Sequence, residues 1–219
     1  MSVLLSDLVK YCNDHLSVDS FKDYCPNGLQ VEGRADVKKV ISGVTACQAL
    51  LNEAVARNAD LVLVHHGYFW KGEDQCITGM KKRRLSTLLK HDISLLAYHL
   101  PLDAHPILGN NAQLAKELGW VVESGLDGEL GKAIGMVGYL PEAVSAAELS
   151  KDIEKVLGRA VLHIAGIDRP IKRIAWCTGG AQGYIDKALA EGVDAFISGE
   201  ISEPTYHFAR EAQIDYFAA

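Results

Sequence analysis

The feature that most constrains this sequence is a pair of short, strongly apolar segments, each of which follows a stretch with helical periodicity. The segment "DLVLV" (60–64) follows the amphipathic stretch 47–59, and "ISLLAYHL" (93–100) follows the helical stretch 84–92. A short strand without polar alternation is typical of a parallel sheet that is covered on both faces. Strands that alternate with helices predict an α/β fold with right-handed crossovers.

The same alternation occurs a second time along the chain. Residues 40–67 can be aligned with residues 173–200, and both segments then read strand, Thr, small-residue loop, helix, Asp and apolar strand. In this alignment Asp60 matches Asp194. Similarity at this level also arises by chance in α/β proteins, but the shared order of elements favours a duplication. We therefore expect a layered α/β sheet with two pseudo-repeated strand–helix–strand halves.

The pattern changes between residues 123 and 170. Strand-like stretches there flank a helix that starts with Ser145 and has Glu148 three residues later, the signature of a capping box. We interpret residues 123–170 as a small inserted α+β subdomain. Residues 1–122 and 171–219 then form the main α/β domain.

Composition and charge narrow the classes of protein further. The chain has 219 residues, is 48% hydrophobic and has a formal net charge of −6. That length and apolar content suffice for a substantial core. The acidic balance argues against a broad nucleic-acid-binding surface. The segment "KKRR" (81–84) could still form a local basic patch, although a solvated start to a helix is the plainer interpretation.

The cysteines and the N-terminal segment bear on the compartment. The five cysteines are scattered without a CxxC pair, which is typical of free thiols in a reducing cytoplasm. The first residues lack the basic region and the cleavage site of a signal peptide. No apolar run approaches the roughly 18 residues of a membrane span. We expect a cytoplasmic protein that has no membrane segment.

Metal-ligating side chains stand where two of the predicted strands end. His65 and His66 follow the strand 60–64, and His99 and Asp103 follow the next strand. In parallel α/β sheets, ligands bind beyond the carboxyl ends of the strands. A single histidine there is usually a hydrogen-bonded structural residue, but burying four such polar groups beside apolar strands is costly unless they pair or bind metal. We therefore predict these four residues to be metal ligands.

Two groups of His and carboxylate on adjacent strands suggest a two-metal centre. Imidazole combined with carboxylate suits Zn, Fe, Mn, Co or Ni, and the sequence does not choose among them. Glu200 stands in the second half where His66 stands in the first. It is a candidate catalytic general base or a partner of a metal ligand. An ordinary surface residue is the alternative.

Several longer motifs resemble one protein family. They are "PNGLQVEG" (26–33), "VHHGYFWKG" (64–72), "YHLPLDAH" (98–105), "GNNAQLA" (109–115), "WCTGGAQ" (176–182) and "DAFISGEISE" (194–203). They are similar to the Nif-three-like dinuclear-metal-centre proteins, also called GTP cyclohydrolase I type 2 homologues, and most similar to the bacterial YbgI-type members. The resemblance covers essentially the whole chain.

The resemblance implies a cytoplasmic protein that binds two divalent metal ions per subunit and assembles as a toroidal homo-hexamer, with the metal sites facing the interior. Position by position, it makes His65, His66, His99 and Asp103 ligands, with Asp103 as the bridging carboxylate. The family's remaining ligands are a His and a Glu in a "GHHATE"-like motif. That motif would begin after Ala219, so we expect the sequence to stop before the site is complete.

Two classes of function follow from these observations. A dinuclear centre would support a metal-dependent hydrolase that acts on a nucleotide or a phosphoester, because bound metal activates water and polarises the bond to be broken. The alternative is a non-catalytic ring-shaped protein that binds metal or nucleic acid, or that serves as a scaffold.

Overall fold

The computed structural model describes residues 2–219. They form two compact units, residues 2–102 and residues 103–219. The α/β class predicted from the sequence is confirmed, since both units contain a sheet with helices packed on it. Within residues 2–219, no helix combines the length and the apolar character needed to cross a bilayer.

The first unit is built around a four-stranded sheet. The unit as a whole has six strands, namely β1 (Val3–Leu4), β2 (Gly28–Val31), β3 (Asp36–Val37), β4 (Val40–Thr45), β5 (Leu61–His66) and β6 (Ser94–Ala97). Its helices are α1 (Leu5–His15), α2 (Gln48–Ala56) and α3 (Gly79–Lys90). The sheet order is β2-β6-β5-β4, with β4, β5 and β6 parallel and β2 antiparallel. β1 and β3 form a separate antiparallel pair. The short helix α4 (Leu100–Ala104) begins three residues after the end of β6.

Helices cover both faces of this sheet, as the unbroken apolar strands predict. On one face, Leu51 of α2 and Leu88 of α3 belong to one buried cluster with Val62 of β5. On the other face, Leu5 of α1 clusters with Leu61 of the same strand. Because adjacent residues of β5 face opposite sides, both layers of the core depend on this one strand.

The second unit is built around a six-stranded sheet. Its strands are β7 (Val121–Leu126), β8 (Gly135–Val144), β9 (Leu162–Ile164), β10 (Ile171–Cys177), β11 (Ala195–Ser198) and β12 (Asp215–Ala218), and its helices are α5 (Asn110–Leu118), α6 (Ala146–Leu157), α7 (Ile185–Ala190) and α8 (Glu203–Ala212). The sheet order is β7-β8-β10-β11-β12-β9. Strands β10, β11 and β12 are parallel, and the others pair antiparallel to their neighbours.

Large aromatic side chains fill both layers of the second unit. Trp176 and Phe217 are fully buried with Ile153 of α6 in one cluster, and Phe196 and Tyr216 are fully buried in the other. Burial of each such side chain contributes roughly 1.5–3 kcal/mol to stability. The parallel strands are therefore held firmly at the centre of the unit.

The compact units divide the chain differently from the division that we expected. The segment 123–170, expected to be an inserted subdomain, contributes β8 and β9 to the same sheet as β10, β11 and β12. Its capping box is present, since Ser145 Oγ accepts a hydrogen bond from the Glu148 amide at 3.3 Å and the Ser145 amide donates to Glu148 Oε2 at 2.9 Å. The antiparallel pairing of β8 with β10 joins this segment to residues 171–219.

The two pseudo-repeated halves appear as β4-α2-β5-α3-β6 and β10-α7-β11-α8-β12. Asp60 Oδ2 accepts two consecutive backbone N–H groups near the start of β4, at 2.8 and 2.9 Å. Asp194 Oδ2 accepts two consecutive backbone N–H groups near the start of β10, at 3.0 and 2.9 Å. In each unit, an aspartate carboxylate therefore binds two backbone N–H groups near the start of the first parallel strand, as the alignment of these two residues indicated.

Candidate metal centre

Three histidines of the first unit lie together at the carboxyl end of its parallel strands. His65 and His66 are the last two residues of β5, and His99 comes two residues after β6. The ring centroids of His65 and His66 are 4.4 Å apart. The His99 centroid lies 5.1 Å from the first and 5.7 Å from the second. One ligand atom from each residue lies within 4.8 Å of the other two, which is close enough to share an ion.

The sheet register brings the three rings together. β5 and β6 are parallel neighbours, with Val64 opposite Ala97, so the residues after β6 meet those that end β5. Directly after the two histidines, Gly67 passes so close to the sheet that a Cβ there would lie 2.6 Å from the Cβ of Ala97. The backbone can therefore turn at this point only because Gly67 has no side chain.

Two of the imidazoles are held through their Nδ1 atoms. His65 Nδ1 lies 2.9 Å from the carbonyl oxygen of Tyr98. His99 Nδ1 lies 2.8 Å from Oδ1 of Asp23. An Nδ1–H that donates to an oxygen leaves the lone pair on Nε2, which is the tautomer that binds a metal through Nε2. The contacts thus fix both the orientation and the expected ligand atom of these two rings.

His66 is placed more loosely and has a perturbed pKa. Its Nδ1 lies 3.4 Å from the hydroxyl oxygen of Thr45 on the neighbouring strand. Burial lowers the pKa of His66 below its usual value, and the charges that His65 and His99 would carry lower it further. A lowered pKa favours the neutral imidazole, which is the form that coordinates a metal ion.

Asp23 is a buried carboxylate that supports this cluster. Besides His99, it accepts hydrogen bonds from the side chain of Asn27 at 2.8 Å and from the backbone amides of Leu100 at 2.9 Å and Tyr24 at 2.6 Å. Burial alone would raise its pKa, but these donors outweigh burial and lower the pKa to about 2. Asp23 is therefore ionised at neutral pH and can hold the His99 ring in one orientation.

Sequence reasoning missed Asp23. Around it, the segment "DYCPNG" (23–28) contains the turn-forming pair Asn27-Gly28 but no pattern that points to a contact with His99. Asn27 of that segment accepts the backbone N–H of His99 at 2.7 Å and donates to Asp23, so the turn residues fix the histidine from two sides. Gly28, with φ +95°, makes the turn possible.

An aromatic side chain borders the cluster. The Trp70 ring meets His99 edge-on, with centroids 5.0 Å apart, and its centroid lies 6.0 Å from that of His66. Its Nε1 donates to the carbonyl oxygen of Gly67 at 3.2 Å, which fixes the ring against the turn. The neighbouring Tyr68 instead belongs to the core of the unit, where it is buried. Trp70 therefore forms one wall of the histidine cluster.

Asp103, the fourth ligand predicted from the sequence, belongs to the second unit and lies in α4, four residues after His99. It is buried, and its Oδ1 accepts a hydrogen bond from the Asn110 side chain at 2.7 Å. The structure thus brings His65, His66 and His99 together in the first unit and places Asp103 in the other.

Glu200, the candidate catalytic residue, also belongs to the second unit and is exposed. It comes two residues after β11, and the Tyr216 hydroxyl donates to its carbonyl oxygen. A Cβ on Gly180 would lie 3.3 Å from its Oε2, so the carboxylate borders the small-residue loop after β10. Together with Trp120 and Arg159 it lines a cavity of about 360 Å³.

The sequence matches the family model for Duf34/NIF3 (NGG1p interacting factor 3) over residues 3–219. This chain belongs to the DUF34/NIF3 family. The resemblance to the Nif-three-like proteins drawn from the motifs is therefore confirmed. The match covers both compact units, so the family accounts for the whole described fold.

Three comparisons show how similar this DUF34/NIF3 chain is to individual relatives. It is 56% identical over 219 residues to a Pseudomonas aeruginosa protein named GTP cyclohydrolase 1 type 2 homolog, covering 100% of this chain and 86% of that relative. Among solved structures, protein ybgI, described as of unknown function, is 50% identical with a TM-score of 0.94, covering 99% of this chain and 86% of that chain. TTHA1606 from Thermus thermophilus is 33% identical with a TM-score of 0.87, covering 98% of this chain and 85% of that chain.

Proposed function

We propose that this DUF34/NIF3 protein binds two divalent transition-metal ions per subunit and acts as a metal-dependent hydrolase on a nucleotide or a phosphoester. The observation that carries the proposal is the cluster of His65, His66 and His99, whose ligand atoms lie within 4.8 Å of one another. Packing alone gives no reason to collect three imidazoles at one strand end, because each must find polar partners there.

The chemistry of these donors fits a transition metal. Neutral imidazole suits Zn, Fe, Mn, Co and Ni, whereas Mg and Ca prefer oxygen ligands. The contact of His99 with Asp23 is the kind of carboxylate–histidine pair that supports metal ligands in general. We extend the ligand set to Asp103, as the bridging carboxylate, because the family resemblance points to it and because it follows His99 by four residues.

In such a centre, bound metal supplies an activated water and a Lewis acid for the bond to be broken. The protein's own residues prepare the site. Asp23 and the carbonyl of Tyr98 hold the rings of His99 and His65 in place. Trp70 borders one side of the cluster, where its ring meets His99 edge-on. Glu200 is the proposed general base. A Glu200→Gln variant tests this role, because loss of the base should change the pH dependence of kcat.

The substrate class rests on the names of the relatives. The Pseudomonas aeruginosa protein, 56% identical to this chain, is named GTP cyclohydrolase 1 type 2 homolog, which directs attention to purine nucleotides. We therefore propose nucleotides as the first substrates to test, followed by simple phosphoesters. Hydrolysis of either class needs the same activation of water.

The test combines metal analysis with a substrate screen. The protein is loaded separately with Zn²⁺, Mn²⁺, Co²⁺, Fe²⁺ and Ni²⁺, its bound metal is measured by mass spectrometry, and each form is assayed against GTP, other nucleotides and phosphoesters. We expect bound metal in the unaltered protein and its loss in His65→Ala, with turnover wherever both ions of the centre are bound. The matched control is His91→Ala, because His91 is an exposed histidine of the same unit. Full metal occupancy without turnover of any substrate would end the hydrolase proposal.

A second candidate function is the non-catalytic binding of nucleic acid. A groove of about 580 Å³ in the first unit is lined by Lys82, Arg83, Lys90 and His91, so it collects positive charge on an otherwise acidic protein. Phosphate binding there must weaken steeply as salt rises. A gel-shift series with single-stranded and duplex DNA at increasing salt tests this, with a Lys82→Ser, Arg83→Ser double variant as the comparison. Absence of any shift at low salt excludes this function.

The proposal also includes the quaternary structure and the compartment. On the family resemblance, we propose a toroidal hexamer in the cytoplasm, and the free cysteines agree with a reducing compartment. Light scattering coupled to size-exclusion chromatography tests the assembly. A mass six times that of the 23.8 kDa chain is the expected result. A stable monomer or dimer would contradict it.

A further inference from the structure

His99 has a second set of potential ligands on its Nδ1 side. Asp23, Cys25 and His99 each offer one ligand atom, and these three atoms all lie within 4.8 Å of one another. The set combines a carboxylate, a thiol and an imidazole, whereas the cluster with His65 and His66 offers imidazole alone. Cys25 has no part in the proposed dinuclear centre.

The geometry points to a second cation site, formed by Asp23, Cys25 and Nδ1 of His99, that takes a thiophilic divalent ion such as Zn²⁺ or Cd²⁺. This inference does not rest on the proposed dinuclear centre. The ion would use the opposite edge of the His99 ring and a thiolate that the histidine cluster lacks.

The spacing of the three atoms suits such an ion. Tetrahedral Zn²⁺, with bonds of about 2.0–2.3 Å, holds its ligand atoms about 3.3–3.8 Å apart. The three atoms already lie within 4.8 Å of one another. The contact of Asp23 Oδ1 with His99 Nδ1, now 2.8 Å, would lengthen as the ion enters between these two atoms. A thiolate among the ligands selects soft ions over Mg²⁺ and Ca²⁺.

The site is enclosed but can still be reached. The side chains of Asp23 and His99 are 3% and 16% exposed, and Cys25 is 8% exposed. Enclosure strengthens the attraction between a cation and the buried carboxylate, because the surroundings are less polar than water. Three protein ligands leave one coordination position for water or an anion.

Binding an ion here requires two proton movements and no change of oxidation state. The thiol proton of Cys25 leaves to solvent as the sulfur bonds to the ion. Without the ion, the Nδ1–H group of His99 donates a hydrogen bond to Asp23. When the ion binds Nδ1, that proton leaves to solvent and Nε2 takes up a proton from solvent, so the ring stays neutral. The ring then presents an N–H, in place of a lone pair, toward His65 and His66. Occupation of this site and binding of a metal through Nε2 of neutral His99 therefore exclude each other.

Cadmium is the probe for this site, because a thiolate bound to Cd²⁺ gives a charge-transfer band in the ultraviolet. The reference chain carries Cys47→Ser and Cys76→Ser, which removes two thiols outside the site. We expect one equivalent of Cd²⁺ to produce the band in the reference chain and in a further His65→Ala variant. Cys25→Ser should abolish it, whereas Cys12→Ser, which alters a half-buried thiol of the same unit, should leave it unchanged.

Absence of the band in the reference chain, or its persistence in Cys25→Ser, would overturn the inference. A second measurement needs no change at Cys25. Long-range imidazole NMR spectra of the reference chain should show the His99 proton on Nδ1 before Cd²⁺ is added and on Nε2 afterwards. A His99 tautomer that Cd²⁺ leaves unchanged would also overturn it.

Discussion

Asp23 Oδ1 lies 2.8 Å from Nδ1 of His99, a contact between residues 76 positions apart in the sequence. The Asp23 side chain is 3% exposed, and its oxygens accept four hydrogen bonds in all. A metal-binding imidazole is oriented by the partner of its other nitrogen. The direction in which His99 presents Nε2 to the neighbouring histidines is therefore set by a carboxylate on a separate segment.

Replacement of Asp23 by Asn should weaken metal binding at the histidine cluster. An amide can present a donor to the ring, which would favour the wrong tautomer of His99, and it carries no charge to stabilise the ligand. We expect the Kd for Co²⁺ or Ni²⁺ to rise about 10–100-fold, the usual effect of losing such a partner. Isothermal titration calorimetry measures the change directly.

The matched control is Asp14→Asn, which alters an exposed aspartate of the same unit, on α1, where it pairs with Lys10. This variant should bind metal like the unaltered protein, because exposed ion pairs contribute little. An unchanged Kd in Asp23→Asn, with the fold intact by circular dichroism, would show that His99 does not need this carboxylate.

The sequence predicted the parts of the candidate site that depend on single strands. His65 and His66 end a short apolar strand and His99 follows another, so the general location of ligands at the ends of parallel strands sufficed to group them. The equivalence of Asp60 and Asp194 could also be predicted from the sequence, because each residue precedes an apolar strand at the same place in its half of the chain.

The remaining features depend on contacts between distant segments. Nothing in the local pattern around Asp23 indicates that its carboxylate meets His99, because that contact arises only when the turn 23–28 packs at the end of β6. The grouping of 123–170 with the last part of the chain likewise depends on the antiparallel pairing of Ile174 with Gly138. Composition and periodicity report the type of an element, but they do not report its pairing partner.

Gly67→Ala should destabilise the first unit and disturb the histidine cluster. The added Cβ would lie 2.6 Å from the Cβ of Ala97, which cannot move without shifting β6. We expect the free energy of unfolding to fall by about 1–3 kcal/mol, the usual cost of overpacking. Urea denaturation measures this change, and metal titration of the same variant should show weaker binding.

The control for this variant is Gly183→Ala. Beyond its own neighbours along the chain, Gly183 has no atom within 4 Å of the position of its added Cβ, and its φ does not lie in the left-handed region. Its stability should change by less than about 0.5 kcal/mol. If the two alanine variants unfolded at the same urea concentration, the close approach at Gly67 would not be a constraint on this protein.

Trp70 should report metal binding through its fluorescence. Its ring centroid lies 5.0 Å from that of His99, so a paramagnetic ion held by the histidines would quench its emission. We expect Co²⁺ to reduce tryptophan fluorescence in the unaltered protein and in Trp120→Phe, and to have little effect in Trp70→Phe. Quenching that survives in Trp70→Phe would mean that Co²⁺ binds elsewhere.

Asp60→Asn should remove a stabilising carboxylate from the start of the first parallel sheet. Burial alone would raise the pKa of Asp60, but two backbone N–H donors and Arg34, whose Nη1 lies 2.8 Å from Oδ1, lower it overall. A depressed pKa stabilises the fold above the unfolded value of about 3.9, and this stability is lost as pH falls through the folded value. We therefore expect Asp60→Asn to lower the free energy of unfolding by about 1–3 kcal/mol at neutral pH, with the difference shrinking below pH ~4.

Urea denaturation at a series of pH values measures this, with the exposed Asp168→Asn as the control. A difference that stays constant down to pH ~3 would show that the charge of Asp60 is not what stabilises this strand.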